Sequence, residues 1–143
     1  MKIRRAKEND KEKILELLNE DPGNTADDEL HYNLNHVNEY VNGKAFETFV
    51  CEIDGKIAGI AMANVFPLGK YAEMYNAVVD IGYRRKGIGI KLLDFLENHL
   101  KKSGIKIIYG YVNDGNKPSE KMLEKLGYQK GKKVLFYSKV LRK

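Results

Sequence analysis

The sequence has one cysteine, Cys51, only three prolines, and no apolar run near the roughly 18 residues needed to span a bilayer. A single cysteine excludes an internal disulfide and a zinc site built from several thiolates. The three histidines, His31, His36 and His99, have no metal-ligand partner set, and His31 and His36 are five apart, not the i, i+4 pair of a helical zinc site. No metal is expected. There is no Pro/Ser-rich linker, low-complexity tract or internal repeat. The opening stretch, from Met1 to Lys13, is charged where a secretory signal needs an apolar core. The expectation is a cytoplasmic protein with no membrane partner.

At 143 residues the chain has the length of a single domain, taken here as 1–143. An apolar fraction of 43% is too high for a disordered chain and enough for a real core. The formal net charge of +5 raises the question of nucleic acid. The lysines and arginines are spread, however, mostly beside Glu or Asp, as on a solvated face. Only Arg84-Arg85-Lys86 and the tail from Lys130 are locally basic, and only Phe136-Tyr137 interleaves aromatics with them. No nucleic-acid partner is expected.

Residues 2–6 read as a short strand. Asn9, three before Glu12, starts a helix carrying Ile14, Leu15, Leu17 and Leu18, which Asp21-Pro22-Gly23 stops. A second helix is predicted from Thr25, with Leu30, Leu34, Val37 and Val41 as its apolar stripe and Gly43 as its cap. Tyr32, His36 and Tyr40 recur every four residues on the opposite side, a polar-aromatic stripe read as ordinary amphipathic surface first and as a hint of an acceptor site second. Residues 46–53 and 56–65 are predicted strands around the Asp54-Gly55 hairpin signal, and 71–79 is the next strand. A helix runs from Gly87 to Ser103-Gly104, followed by a strand over 105–112. Pro118 opens a short helix with Met122, Leu123 and Leu126, and a last strand spans 134–141. The order β-α-α-β-β-β-α-β-α-β implies a mixed sheet with helices on both faces and ligand loops at strand ends.

Arg84-Arg85-Lys86-Gly87-Ile88-Gly89 stands between a predicted strand and an amphipathic helix. A helix N-terminus offers unpaired amides and a positive dipole end, glycines let a diphosphate approach, and three cations add charge. The segment lacks the Gly-Lys-Ser/Thr ending of a Walker A loop and the third glycine of the dinucleotide fingerprint. Residues 79–89 resemble the cofactor motif of the GNAT acetyltransferase superfamily. Residues 116–128, an Asn, a short helix and then Gly127-Tyr128, resemble its second motif, and Ile3-Arg4-Arg5-Ala6 with Asp10 resembles its opening.

This resemblance implies an α/β (α+β) fold with a mixed, mostly antiparallel central sheet of six to seven strands flanked by about four helices. It implies acetyl-CoA as co-substrate. Arg84, Arg85, Lys86, Gly87, Ile88 and Gly89 would hold the pyrophosphate, mostly through main-chain amides. Val78 and Val79 lie on the strand that would bond the pantetheine arm, and Asn116 and Ser119 lie where the family contacts it. The activity implied is acetyl transfer to an amine of a small molecule or peptide, by direct attack and without a covalent enzyme intermediate.

A protonated amine needs a base, and the oxyanion needs a donor such as a strand N–H near Val78 or Val79. Some family members carry a base glutamate where Glu73 stands. A base and an ordinary strand-end glutamate are both open readings of Glu73. Strand alternation predicts Glu73, Tyr75, Ala77 and Val79 on one face and Met74, Asn76 and Val78 on the other. The tyrosine that the family uses as acid is here Leu123, so a non-catalytic acyl-CoA-binding module is the alternative. Tyr109 and Tyr111 are possible substitutes for that acid, or half-buried strand aromatics. Cys51, in a strand with no activating neighbour, reads as a small buried core residue. The edge of the last strand either pairs across a two-fold to give a homodimer or is guarded by Lys139 and Arg142.

Overall fold

In the computed structural model, which describes residues 1–20 and 32–141, the elements follow in the order β1 (Lys2–Arg5), α1 (Lys11–Glu20), α2 (Leu34–Asn42), β2 (Phe46–Ile53), β3 (Lys56–Phe66), β4 (Tyr71–Val79), α3 (Ile88–Lys102), β5 (Ile107–Tyr109) and α4 (Lys117–Lys125). One sheet holds the strands in the order β1-β2-β3-β4-β5, so neighbours in the chain are neighbours in space. The first three pairings are antiparallel. The fourth, β4 with β5, is parallel, as it must be when a helix carries the chain back across the sheet.

This is the mixed, mostly antiparallel α/β fold with four helices that the sequence implied, but with five strands rather than six to seven among the described residues. The predicted strand at 134–141 is absent. Its apolar side chains stand in solvent, Leu135 81% and Tyr137 85% exposed. The approach to this segment is tied down by ion pairs instead, Lys130 to Glu120 at 2.9 Å and Lys133 to Asp114 at 3.7 Å. Strand propensity reports fit to a half-buried pleated surface, and 134–141 has no such surface to fit. The strand predicted at 105–112 shortens to Ile107–Tyr109. The predicted start of the second helix, with Leu30 and His31, lies outside the described residues.

β3 explains the two-layer core. Ile60 and Met62 face α1 and α2, meeting Ile14, Leu17, Leu18, Val37, Val50 and Val78. Ala61 and Ala63 face α3, meeting Phe49, Cys51, Leu92, Leu93 and Leu96. Cys51 is fully buried, and burial pushes its thiol up, which suits the core role the sequence suggested. α2 turns differently from expectation. Val37 and Tyr40 are its buried residues, while Leu34 is half exposed. Tyr40 faces inward because Phe46 and Tyr75 pack on its ring, with centroids 4.8 and 5.4 Å away. Its main-chain carbonyl also accepts a bond from the buried Thr48 hydroxyl at 2.6 Å.

Small residues on the α3 side set how closely that helix approaches. A Cβ at Gly59 would stand 3.1 Å from both Leu92 Cδ1 and the Val78 carbonyl oxygen. Gly59→Val should therefore displace the first turns of α3 and cost about 1–3 kcal/mol, measured by urea unfolding. At the other end of the sheet, Asp10 is buried and gripped on both oxygens by the Arg4 guanidinium, at 2.7 and 3.0 Å, while the Lys7 amide donates at 2.8 Å. Burial raises the Asp10 carboxyl, but these bonds outweigh it and hold the group below its ordinary range. Its stabilising contribution is thus complete at neutral pH and lost as pH falls through that lowered value. Asp10→Asn should cost about 2–3 kcal/mol at pH 7, and the gap to the wild type should narrow in melts at pH 3.

Candidate active site

The ladder between β3 and β4 changes register once. Met62 pairs with Asn76 and Ala63 with Met74, which leaves Tyr75 as an extra residue on β4. An extra residue lets two consecutive side chains share a face. Tyr75 packs against Tyr40 and Phe46, and Asn76 Nδ2 donates to the Tyr32 hydroxyl at 3.3 Å, so both look toward α2. The simple alternation read from the sequence therefore fails here. Glu73, Tyr75, Asn76 and Val78 lie on the α2 face, and Ala72, Met74, Ala77 and Val79 on the α3 face.

The bulge also bends β4 away from β5, which pairs with it only over Tyr71, Ala72 and Glu73. Beyond Met74 the outer edge of β4 meets no strand among the described residues. Main-chain polarity along this edge follows from one bond: the Asp80 amide donates to the Ala58 carbonyl at 2.9 Å. In an antiparallel ladder alternate residues face the partner, so Asp80, Val78 and Asn76 turn their main chain toward β3. Ala77 and Val79 turn theirs into the gap, and the Val79 carbonyl accepts from Arg84 Nε there at 3.0 Å. Of the two valines singled out in the sequence, Val79 is the one with main-chain groups on the open edge. Val78 is buried.

After β4, Asp80 redirects the chain. Its carboxylate accepts from the Gly82 amide at 3.0 Å and pairs with Lys13 at 2.8 Å, and Lys13 holds it below the usual range. Arg84, Arg85 and Lys86 are exposed, and Lys86 Nζ lies 5.7 Å from the Tyr83 ring centroid. Arg85 has φ 64 and Gly87 φ 75, the left-handed region, which Gly tolerates and Arg does not favour. α3 then begins without a side-chain cap and without an acid in its first turn. The contrast with α2 and α4 is informative, because Asn33 and Asn116 cap those helices. The amides of Ile88, Gly89 and Ile90 thus have no intrahelical or capping partner, and this end of the dipole is positive. A Cβ on Gly87 would meet nothing within 4 Å, so the approach to these amides is open. Uncapped amides, an unpaired strand edge leading to them and exposed cations fit the diphosphate and arm of acetyl-CoA.

Glu73 is half-buried six residues before Val79, about 20 Å along an extended strand. Register places Phe46, Asn64, Glu73 and Tyr109 side by side across four strands. Asn116 is occupied in capping, its Oδ1 accepting from the Ser119 amide at 3.4 Å. α4 lies against the start of α3, with Met122 Sδ 3.2 Å from where a Cβ on Gly89 would sit. Leu123 packs into the α3-side core. Tyr109 and Tyr111 are 51% and 74% exposed, more than half-buried strand aromatics. His36 Nδ1 accepts from the Asn33 amide at 3.1 Å, and among the described residues no group of His, Cys, Asp and Glu could hold a metal. Among them, too, no helix is long and apolar enough to cross a membrane. Nothing in the sequence announced the bulge; its one trace is Asn76, a polar residue in an otherwise apolar stretch.

Known proteins bear on this geometry. Probable N-acetyltransferase 14 of Danio rerio is 31% identical over 85 residues, 59% of this chain and 30% of that protein. The [ribosomal protein bS18]-alanine N-acetyltransferase of Escherichia coli is 30% identical over 86 residues, 60% of this chain and 57% of that one. The matched region thus spans less than two thirds of each of these curated relatives. The aminoglycoside acetyltransferase AAC(6')-Iy, solved with a bisubstrate analogue of CoA, superposes with a TM-score of 0.80 over 98% of each chain. At 20% identity that likeness is one of fold. Residues 11–128 match the profile of the acetyltransferase (GNAT) family, whose members use acetyl-CoA, and the chain belongs to that family.

Proposed function

We propose that the chain moves an acetyl group from acetyl-CoA to an amine by direct attack in a ternary complex. The observation that carries this reading is the open edge of β4, which runs from the uncapped start of α3 toward the level of Glu73. Acetyl-CoA supplies an activated acyl group as a thioester. The amides of Ile88, Gly89 and Ile90, with Arg84, Arg85 and Lys86 beside them, hold the diphosphate. Ala77 and Val79 bond the arm through their main chain and orient it along the strand. A gap-facing amide of this edge donates to the carbonyl oxygen as it gains charge.

Glu73 receives a proton from the incoming ammonium, directly or through water, and so frees the nitrogen lone pair. As the N–C bond forms the C–S bond breaks, and the sulfur leaves with its electron pair. The amine gives up two protons in total. One leaves through Glu73 to solvent, and the thiolate takes up one. Leu123 can supply none, and we assign the thiolate's proton to solvent.

Leu123 also favours a second reading, an acyl-CoA-binding module without turnover. Two measurements separate the readings. Isothermal titration should show CoA binding weakened at least about tenfold by Arg84→Glu, which reverses charge and unties the loop from Val79. Unchanged affinity removes the basis for the cofactor site. Thiol release with an amine panel should show kcat lowered about 10²-fold or more by Glu73→Gln, with CoA affinity unchanged. Saturable CoA binding without turnover of any amine supports the module instead.

A further inference from the structure

Glu73 has an aromatic neighbourhood that the acetyl-transfer reading does not by itself require. Tyr71 and Tyr75, two residues away on either side, share its face of β4, and Tyr109 is its register partner on β5. On the Tyr75 side, the rings of Tyr75, Tyr40 and Phe46 sit within 4.8 to 5.4 Å of one another. On the Tyr71 side, Phe66 stacks on Tyr71 at 4.7 Å and Tyr109 meets Tyr71 edge-on at 5.9 Å. Glu73, itself half-buried, therefore stands in the sheet between two groups of rings, of which Phe46, Phe66 and Tyr71 are half-buried and Tyr75 and Tyr109 exposed.

On the Tyr75 side the polar groups beside the rings are already engaged with one another. The Tyr40 and Tyr75 hydroxyls are 3.2 Å apart, and Asn76 Nδ2 donates to the Tyr32 hydroxyl. Such a surface gives an ammonium both a counter-charge and π faces. It gives apolar or aromatic groups a place to lose water. On the Tyr75 side it gives a polyhydroxylated molecule little in exchange for the water its hydroxyls would surrender. Exposed Lys70 and Lys106, whose main chains bond at 2.8 Å, add positive charge beside the Tyr71 rings and disfavour a polycation.

Resting on the acetyl-transfer reading, we infer that the acceptor is a singly charged primary amine on an aromatic or apolar body, held with its ammonium at Glu73 and its body between the two groups of rings. A multiply charged amino sugar is the acceptor the site disfavours.

The full chain, saturated with CoA, is titrated calorimetrically with 2-phenylethylamine and with kanamycin, and both are also offered with acetyl-CoA while thiol release is followed. The aromatic amine should bind at least tenfold more tightly. Phe66→Leu and Tyr109→Leu, which keep apolar bulk and remove a ring, should each weaken it at least threefold without changing CoA affinity. Tighter kanamycin binding overturns the inference, as does aromatic-amine binding indifferent to both ring losses in variants that melt as the wild type does. The binding arm decides the acceptor class. Thiol release decides the reaction, since absence of turnover with either amine, despite bound CoA, counts against acetyl transfer and leaves the binding comparison standing.

Discussion

Between Met62 and Ala63 the β3–β4 ladder passes over Tyr75, and three features of the site depend on that skip. It puts Tyr75 and Asn76 on one face and so brings Glu73 into the same layer as α2. It bends β4 so that pairing with β5 stops after Glu73. Beyond it, Ala77 and Val79 direct their main-chain groups toward an edge that no strand pairs among the described residues, where Arg84 Nε donates to the Val79 carbonyl. A regular strand of the same composition would pair with β5 further along and close this opening.

The phosphate end depends on a different constraint, which is space. Ala58, Ala61, Ala63 and Ala72 give α3 a floor of small side chains, and Gly59 removes even the methyl where Leu92 presses down. The helix start is thereby seated next to the end of β4. The absence of any cap there costs stability, because such a cap is commonly worth about 1 kcal/mol. Asn33 and Asn116 supply that contribution at α2 and α4, and α3 goes without it.

Much of this arrangement was legible in the residues. The change from helical to alternating period at Phe46 located the meander, and Asp54-Gly55 marked its first turn, where both residues take positive φ. The cations and glycines from Arg84 to Gly89 marked the loop, and strand-loop-helix context gave it meaning. What the sequence could not carry was anything decided by partners across the sheet. The bulge at Tyr75 arises from how two strands register, and a period-two count has no means to anticipate it. The inward turn of Tyr40 depends on Phe46 and Tyr75, residues from other elements. The opposite error occurred at 134–141, where local propensity predicted a strand and no neighbouring edge takes it up.

The brevity of β5 carries a consequence for how the molecule breathes. β2, β3 and β4 are joined by short turns and are paired along most of their length, while β5 is held by three register pairs and reached only after the whole of α3. A strand held by few pairs and carrying exposed side chains opens locally at low free energy. Amide exchange near Tyr109 will therefore run through local excursions well below the free energy of global unfolding. The β5 side of the β4–β5 opening is therefore more labile than β4, which is paired to β3 along its length.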